Sequence, residues 1–365
     1  MMQFIKYLLL PFSWLYGLGV RFRNWLFDIN VKKSRSFDIP VIGVGNLSAG
    51  GTGKTPMVEY ILKILLASGY QPAMLSRGYK RNTSGFCLAE TDMTAATIGD
   101  EPYQVKSKFP EVVVAACEER TVGIDTIMQN HRNVNVIVLD DSYQHRAVTP
   151  GFNILLTDFN KPFYKDSLLP AGRLREPKSG RSRADVMIVT KCPNEVEMNE
   201  KGKIRLKLKS MPFQEVYFTG ISYQSLIKTN AEPGADTHFP IENLKGYKVV
   251  LFTGIANTKP LENYLKGQCI ETILMDFADH HSFSAAEIQK IIARWETLPD
   301  MNKLILTTEK DWRRMEDTEP VKYFAGLPFY FLPIEVQWDA TEKISFDKKI
   351  IDYVEEHQGK RRVHS

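Results

Sequence analysis

Apolar residues along the chain fall into two rhythms. From about residue 39 to 190, strand-length runs stand out as almost uninterrupted apolar stretches: "IPVIGVGN", "PAMLS", "EVVVAA", "VNVIVLDD", "NILLTDF" and "DVMIVTK". Parallel strands buried on both faces have this character. Between the first two lies "MVEYILKILLASG", whose apolar positions are spaced to bury one helix face and which Gly69 closes. Strand and helix in alternation predict an α/β fold, a doubly wound and mostly parallel sheet. The polar, Pro- and Gly-rich stretch "KTNAEPGADTHFPIENLKG", residues 228–246, breaks the rhythm and predicts a domain boundary. Beyond it the α/β pattern resumes on a smaller scale in "YKVVLFTG", "ETILMDF", "NKLILTT" and "PFYFLP". A helix, "SAAEIQKIIARWETL", lies between the second and third of these and opens with a capping box, Ser284 and Glu287.

The most apolar segment precedes all of this: "MMQFIKYLLLPFSWLYGLGVRFRNWLFD". Its uncharged run, Tyr7 to Val20, is 14 residues. As a helix that covers roughly 21 Å, short of the roughly 30 Å hydrocarbon core of a bilayer. No small-x-small cleavage site follows, so a signal peptide is not expected. Trp14, Tyr16, Trp25 and Phe27 are interleaved with arginines, the composition of a helix lying at an anionic headgroup boundary. The expected organisation is therefore a membrane-interface helix at 1–27, a larger domain at 28–228, a linker at 229–246 and a smaller α/β domain at 247–365. The tail "GKRRVHS" is expected to be loose.

Charge sharpens the picture of the first segment. The chain of 365 residues carries a net +4, yet residues 1–35 hold six basic residues against Asp28 alone, so the remainder sums to −1. With 43% hydrophobic and 25% charged residues the composition is that of a folded globular protein. Cys87, Cys117, Cys192 and Cys269 form no CxxC pair, which argues against a zinc ribbon or disulfide framework and fits a reducing compartment. Nothing in the pattern calls for a nucleic acid or an obligate protein partner.

The candidate chemistry starts at "NLSAGGTGKTP", residues 46–56. A strand, a Gly-rich turn and then Lys-Thr at a helix start form an anion cradle, because free amides and the helix dipole both favour negative charge. Asn46, Ser48, Ala49, Gly50, Gly51, Thr52 and Gly53 would wrap the phosphates of a nucleotide, Lys54 would reach the outer ones, and the Thr55 hydroxyl would ligate Mg²⁺. The strict GxxxxGK[ST] spacing would need Gly where Ser48 stands. The loop is closer to the GGxGKT form, whose signature lysine is replaced by Ala49. A phosphate loop needs an acidic partner at the end of a neighbouring strand, and Asp140 and Asp141 of "NVIVLDDSYQH" supply it.

Four more polar clusters stand at strand or helix ends. "IGDEPYQ" places Asp100 where a helix N-cap would sit, ahead of Pro102. "AGRLREPKSGR" gathers Arg173, Arg175 and Glu176, either a phosphate-binding loop or a solvated charged one. "DFADHHSF" carries Asp279, His280 and His281, a carboxylate-held histidine suited to proton transfer better than to metal. "TTEKDWRR" reads equally as a salt-bridged helix start.

Taken in order, "GNLSAGGTGKTP", "GDEP", "DDSYQH", "GRLREP", "DHHSF" and "TEKD" resemble the tetraacyldisaccharide 4′-kinase (lipid A 4′-kinase) family of Gram-negative bacteria. The resemblance implies transfer of the ATP γ-phosphate to the 4′-hydroxyl of a tetraacylated disaccharide 1-phosphate, giving lipid IVA, at the cytoplasmic face of the inner membrane. It implies ATP and Mg²⁺ as cofactors, with Lys54 and Thr55 at the phosphates and Asp140 and Asp141 as the acidic pair that His145 follows. Asp100 would help activate the sugar hydroxyl, His280 would pair with it, and Arg173, Arg175 and Glu176 would line the active site. Two departures are visible. Ser142 and Tyr143 replace the Gly-Phe of the usual DDGFQH, and Thr258 and Lys259 separate Asn257 from Pro260. The competing reading is a membrane-recruited nucleotide switch acting through partner binding. A transferase or ligase for a soluble metabolite is a third, and it leaves the basic, apolar N-terminus without a purpose.

Overall fold

The computed structural model describes residues 2–90, 92–229, 237–299 and 302–364. In chain order the strands are β1 (Val41–Asn46), β2 (Pro72–Ser76), β3 (Cys87–Leu88), β4 (Val113–Ala116), β5 (Val136–Leu139), β6 (Phe152–Asp158), β7 (Val186–Thr190), β8 (Glu215–Tyr223), β9 (Leu226–Lys228), β10 (His238–Phe239), β11 (Lys248–Thr253), β12 (Glu271–Asp276), β13 (Lys303–Thr308), β14 (Phe329–Leu332) and β15 (Ile334–Trp338). The α-helices are α1 (Met2–Asp28), α2 (Lys54–Ala67), α3 (Ala95–Ile98), α4 (Asp100–Lys108), α5 (Arg120–Asn130), α6 (Met198–Leu208), α7 (Lys259–Leu265), α8 (Ala285–Glu296), α9 (Glu309–Met315) and α10 (Ala340–His364).

The chain divides into two compact units, 1–93 with 97–221 and 336–365, and 94–96 with 222–335. The first is built on a sheet ordered β15-β8-β7-β6-β1-β5-β2-β4-β3. Its central pairs are parallel, and β3 runs antiparallel to β4 at the edge. Alternate strand residues go to opposite faces. Val136 and Val138 join α2, α4 and α10 in one apolar layer, while Ile137 and Leu139 join α5 in the other. Further along that second face, Leu155 and Met187 pack with Ile204 and Leu208 of α6. Strand β1 sits mid-sheet between β5 and β6, so the turn at its carboxyl end opens at the point where an α/β sheet binds ligands.

The second unit has a smaller sheet, ordered β10-β9-β14-β13-β11-β12, parallel through β14-β13-β11-β12 and antiparallel at β9 and β10. Val250 and Phe252 face α8 and α9, and Val249 and Leu251 face α7. The capping box expected at α8 is present: Ser284 accepts from the Glu287 amide while the Glu287 carboxylate accepts from the Ser284 amide.

Every strand anticipated from an apolar run is found. The C-terminal division differs from expectation, because residues 336–365 return to the first unit instead of completing the second. The cause lies in α10: Phe346, Ile350 and Val354 recur every fourth residue and are fully buried against the first sheet's layer. The Tyr353 hydroxyl also donates to the carbonyl of Val41 at 3.1 Å. Helical backbone continues through His364, across the segment expected as a loose tail. Residues 230–236 of the expected linker lie outside the described residues. Helix α1 forms as anticipated, and among the described residues no helix is long and apolar enough to cross a membrane.

Candidate active site

The phosphate loop leaves β1 at Asn46, which is fully buried and ties the turn to itself: its Nδ2 donates to Thr52 Oγ1 at 2.7 Å. Helix α2 starts at Lys54 behind Gly53, whose φ of 81° is left-handed backbone that side-chain-bearing residues rarely adopt. Strand β7 supports the loop from below. Thr190 Oγ1 donates to the Thr52 carbonyl at 2.8 Å, and Lys191 Nζ donates to the Gly51 carbonyl at 2.5 Å while pairing with Asp158 at 3.2 Å. With those two carbonyls engaged, the turn is held from the β7 side. The Ala49 amide is spent on the Arg173 carbonyl, so the expected phosphate cradle falls to the backbone from Gly50 to the start of α2.

Asp140 and Asp141 follow β5 directly beside this turn. Lys54 Nζ lies 3.7 Å from Asp141 Oδ1, and Arg175 grips the same carboxylate bidentately at 2.8 and 2.7 Å. Burial by itself raises the Asp141 pKa, but the hydrogen bonds from Arg175 and the charge of Lys54 override it and hold the group well below the usual carboxylate range. Asp140 is the opposite case. It is 4% exposed, its Oδ1 has no hydrogen-bond partner, and burial together with the Asp141 charge pushes its pKa up to about 7. A buried carboxylate oxygen without a partner is costly unless a cation meets it. Among the described residues no cluster of three or more His, Cys, Asp or Glu forms a cage for a metal. A small donor set of one carboxylate and one hydroxyl, Asp140 and Thr55, fits Mg²⁺, which keeps waters and phosphate oxygens as its other ligands.

The "GRLRE" loop reaches this site through its backbone as well as its side chains. Ala49 N donates to the Arg173 carbonyl and Arg175 N to the Leu47 carbonyl, both at 2.7 Å, so residues 47–49 and 173–175 run as a short antiparallel ladder. Arg173 itself pairs with Asp166 at 3.0 Å and stays 40% exposed. Glu176 departs from expectation. It is fully buried, accepting from Gln144 Nε2 and Arg183 Nη2, each at 2.7 Å, and so has no surface to offer a substrate. It is a positioning residue for Gln144, which also donates to the Asn46 carbonyl at 2.8 Å.

Asp100 is the first residue of α4, with Gly99 rather than Asp100 at the N-cap and Pro102 buried inside the first turn. His280 belongs to the second unit. It has left-handed backbone, φ 61°, and its amide donates to the Gly254 carbonyl at 3.1 Å. Lys310 Nζ and Arg314 Nη2 each lie 3.4 Å from one of its ring nitrogens, and Asp279 is 4.0 Å away. Behind it Asp311 is fully buried, accepting from Thr253 Oγ1 and Thr308 Oγ1 at 2.7 Å and from the Gly254 amide at 3.1 Å. The neighbouring His281 is turned away toward Glu287 at 3.1 Å and stacks on Phe277.

Several contributors were not anticipated. Arg120 is buried beneath the acidic pair, donating to the Asp140 carbonyl at 3.0 Å, and burial pushes its pKa down to about 10. Burial, reinforced by Arg120 and Arg77, pushes His145 down to about 4, so it is neutral at ordinary pH. Nothing local in the sequence marks a lone arginine as buried. The "TK" at the end of β7, Thr190 and Lys191, did carry a signal, as polar residues closing a buried strand. Ser142, one of the two departures, is accommodated: its amide donates to the Val44 carbonyl at 3.1 Å and the turn stays closed.

The comparisons agree with this geometry. A family model described as "Tetraacyldisaccharide-1-P 4'-kinase" matches residues 5–354. A protein of that name from Parabacteroides distasonis is 44% identical over 356 residues, covering 95% of this chain and 94% of its own. One from Flavobacterium johnsoniae is 42% identical over 98% of this chain and 99% of its own. A crystal structure of LpxK from Aquifex aeolicus in complex with ATP superposes with a TM-score of 0.73 at 30% identity, covering 96% of this chain and 99% of that one. A phosphate loop with its acidic pair, set in a chain alike over nearly its whole length, leaves one assignment: the chain belongs to the tetraacyldisaccharide 4′-kinase family.

Proposed function

We propose that this protein transfers the γ-phosphate of ATP to the 4′-hydroxyl of a tetraacylated glucosamine disaccharide 1-phosphate, giving lipid IVA. The observation that carries the reading is the approach of Lys54, which opens α2 just ahead of Thr55, to Asp141 at 3.7 Å, with the neighbouring Asp140 Oδ1 buried and unpartnered. Phosphoryl transfer asks for positioning and charge neutralisation more than for covalent chemistry. The loop's backbone from Gly50 onward and Lys54 would hold the outer phosphates, while Thr55 and Asp140 would hold Mg²⁺. When bound, Mg²⁺ neutralises charge on the phosphoryl oxygens. Arg175 locks Asp141 so that the Lys54 ammonium keeps a fixed counter-charge beside the reacting phosphate. Asp100 serves the acceptor as base, because a sugar hydroxyl has a high pKa and must lose its proton as the bond forms. His280 assists there. Arg173 is the exposed cation of its loop and meets the acceptor's polar groups.

The acceptor is an acylated lipid, and the exposed apolar face of α1, flanked by Arg21, Lys32 and Lys33, suits the anionic cytoplasmic face of an inner membrane. The protein works there as a peripheral or monotopic enzyme. The test is incubation of the purified protein with γ-labelled ATP and the disaccharide lipid, with and without Mg²⁺. Label should appear in the lipid only with Mg²⁺; ATP turnover that leaves the lipid unlabelled would favour the nucleotide-switch reading.

A further inference from the structure

Helix α1 has two faces with different partners. On its outer face Tyr7, Phe12, Trp14, Leu15 and Phe22 are 59–70% exposed. On its inner face, polar groups meet the loop that follows β6. Ser13, 5% exposed, accepts from the Ala171 amide at 2.9 Å, and the Tyr16 hydroxyl donates to the Arg175 carbonyl at 2.8 Å. Gly17 lets the two segments approach, since a Cβ there would stand 2.6 Å from Leu168 Cδ1. One turn and a half further on, Arg23 Nη2 donates to the Gln144 carbonyl at 3.2 Å.

Two of these contacts end on residues that are hydrogen-bonded to the phosphate loop. Arg175 donates through its amide to Leu47 and through its guanidinium to Asp141. Gln144 donates to the Asn46 carbonyl and to Glu176. Two short relays therefore run inward, Tyr16 through Arg175 and Arg23 through Gln144. A helix serving only to hold the protein at a lipid surface needs its outer face and a tether; it has no use for hydrogen bonds to the loop that orients Asp141.

We infer that α1 is a strut of the active site as well as an anchor, and that Tyr16 and Ser13 are positioning residues for the phosphoryl transfer. The inference rests on the kinase reading above. Seating of α1 presses residues 166–176 against 46–49 and so fixes the direction from which Arg175 holds Asp141. Displacing a supporting group by a small distance slows catalysis far more than the strength of one hydrogen bond would suggest. Inner-face changes should therefore alter the site while leaving the lipid-binding face intact, and outer-face changes should do the reverse.

The experiment uses full-length Tyr16→Phe, Ser13→Ala and their double variant, with Trp14→Ser/Phe22→Ser as the outer-face control. Amide hydrogen exchange is followed without substrate at Ala49, Ala171, Leu174 and Arg175, together with sedimentation on phosphatidylglycerol-containing vesicles and steady-state transfer to detergent-dispersed acceptor. The inner-face variants should exchange about twofold to tenfold faster at those amides, the worth of one hydrogen bond each. Their kcat should fall by at least a similar factor, with acceptor KM and vesicle binding unchanged. The outer-face control should lose vesicle binding and keep parental exchange. Unchanged exchange in the double variant, or a loss of vesicle binding in step with it, overturns the strut. A parent that exchanges as expected but transfers no phosphate would instead overturn the kinase reading, so the two failures are separable.

Discussion

Replacing Asp140 with Asn should stabilise the ligand-free protein while abolishing its chemistry. The parent carboxylate is raised from its ordinary 3.8 to about 7 by burial and by Asp141. A folded pKa above the unfolded one means that the native state binds more protons than the unfolded state between pH 4 and 7, so stability falls as pH rises through that window. The full penalty, present above pH 7, is at most about 4 kcal/mol. An Asn at the same position removes the charge but leaves amide hydrogens to be satisfied, a cost of about 1–3 kcal/mol. The net gain expected at pH 8 is about 1–3 kcal/mol, or roughly 2–12 °C in melting temperature at about 2–4 °C per kcal/mol. At pH 4.5 the parent is already neutral, so the advantage should vanish or reverse. Differential scanning fluorimetry at the two pH values, repeated with Mg²⁺ and ATP, reads all of this. Mg²⁺ should raise the parent's melting point at pH 8 and do little for the variant. An Asp140→Asn protein no more stable than the parent at pH 8 without metal would refute the account of Asp140 as a charge waiting for a cation.

Other substitutions test the remaining parts. Lys54→Met and Thr55→Ala should each reduce lipid phosphorylation to background in the labelled-ATP assay, and ordinary turnover would remove the loop from the mechanism. Glu176→Gln should destabilise the fold by about 2–4 kcal/mol in urea, because it strands Arg183 opposite a neutral partner; an unchanged midpoint would return Glu176 to the substrate's side of the loop. His280→Ala should lower kcat about 10²–10³-fold while ATP affinity, measured by calorimetry, stays within about twofold. Selective loss of nucleotide binding would place His280 outside the acceptor's chemistry.

Much of the fold was legible because the signals are local and periodic. Apolar runs such as "VNVIVLDD" marked strands buried on both sides, and the Ser284–Glu287 capping box marked a helix start that the structure repeats in detail. Strand β8 carried a weaker signal: its first half is buried and its second half only partly so, and no continuous apolar run betrays it. For α10, the stripe of Phe346, Ile350 and Val354 was present in the sequence, but a helical stripe announces that a face will be buried without saying against which sheet.

The phosphate loop and the acidic pair belong to what the chain determines by itself, since a glycine-rich turn between strand and helix and two carboxylates ending a strand are written in consecutive residues. What each carboxylate does was left to the tertiary structure. Asp141 is neutralised by Arg175, 34 positions away, while Asp140 beside it is left with an open oxygen. The same holds for Glu176, which looks like a site carboxylate and is enclosed by Gln144 and Arg183, and for Tyr16, whose hydroxyl reaches across 159 positions to the carbonyl of Arg175, the residue that grips Asp141. Charge and burial at a site are sums over neighbours in space, and only the folded chain decides who those neighbours are.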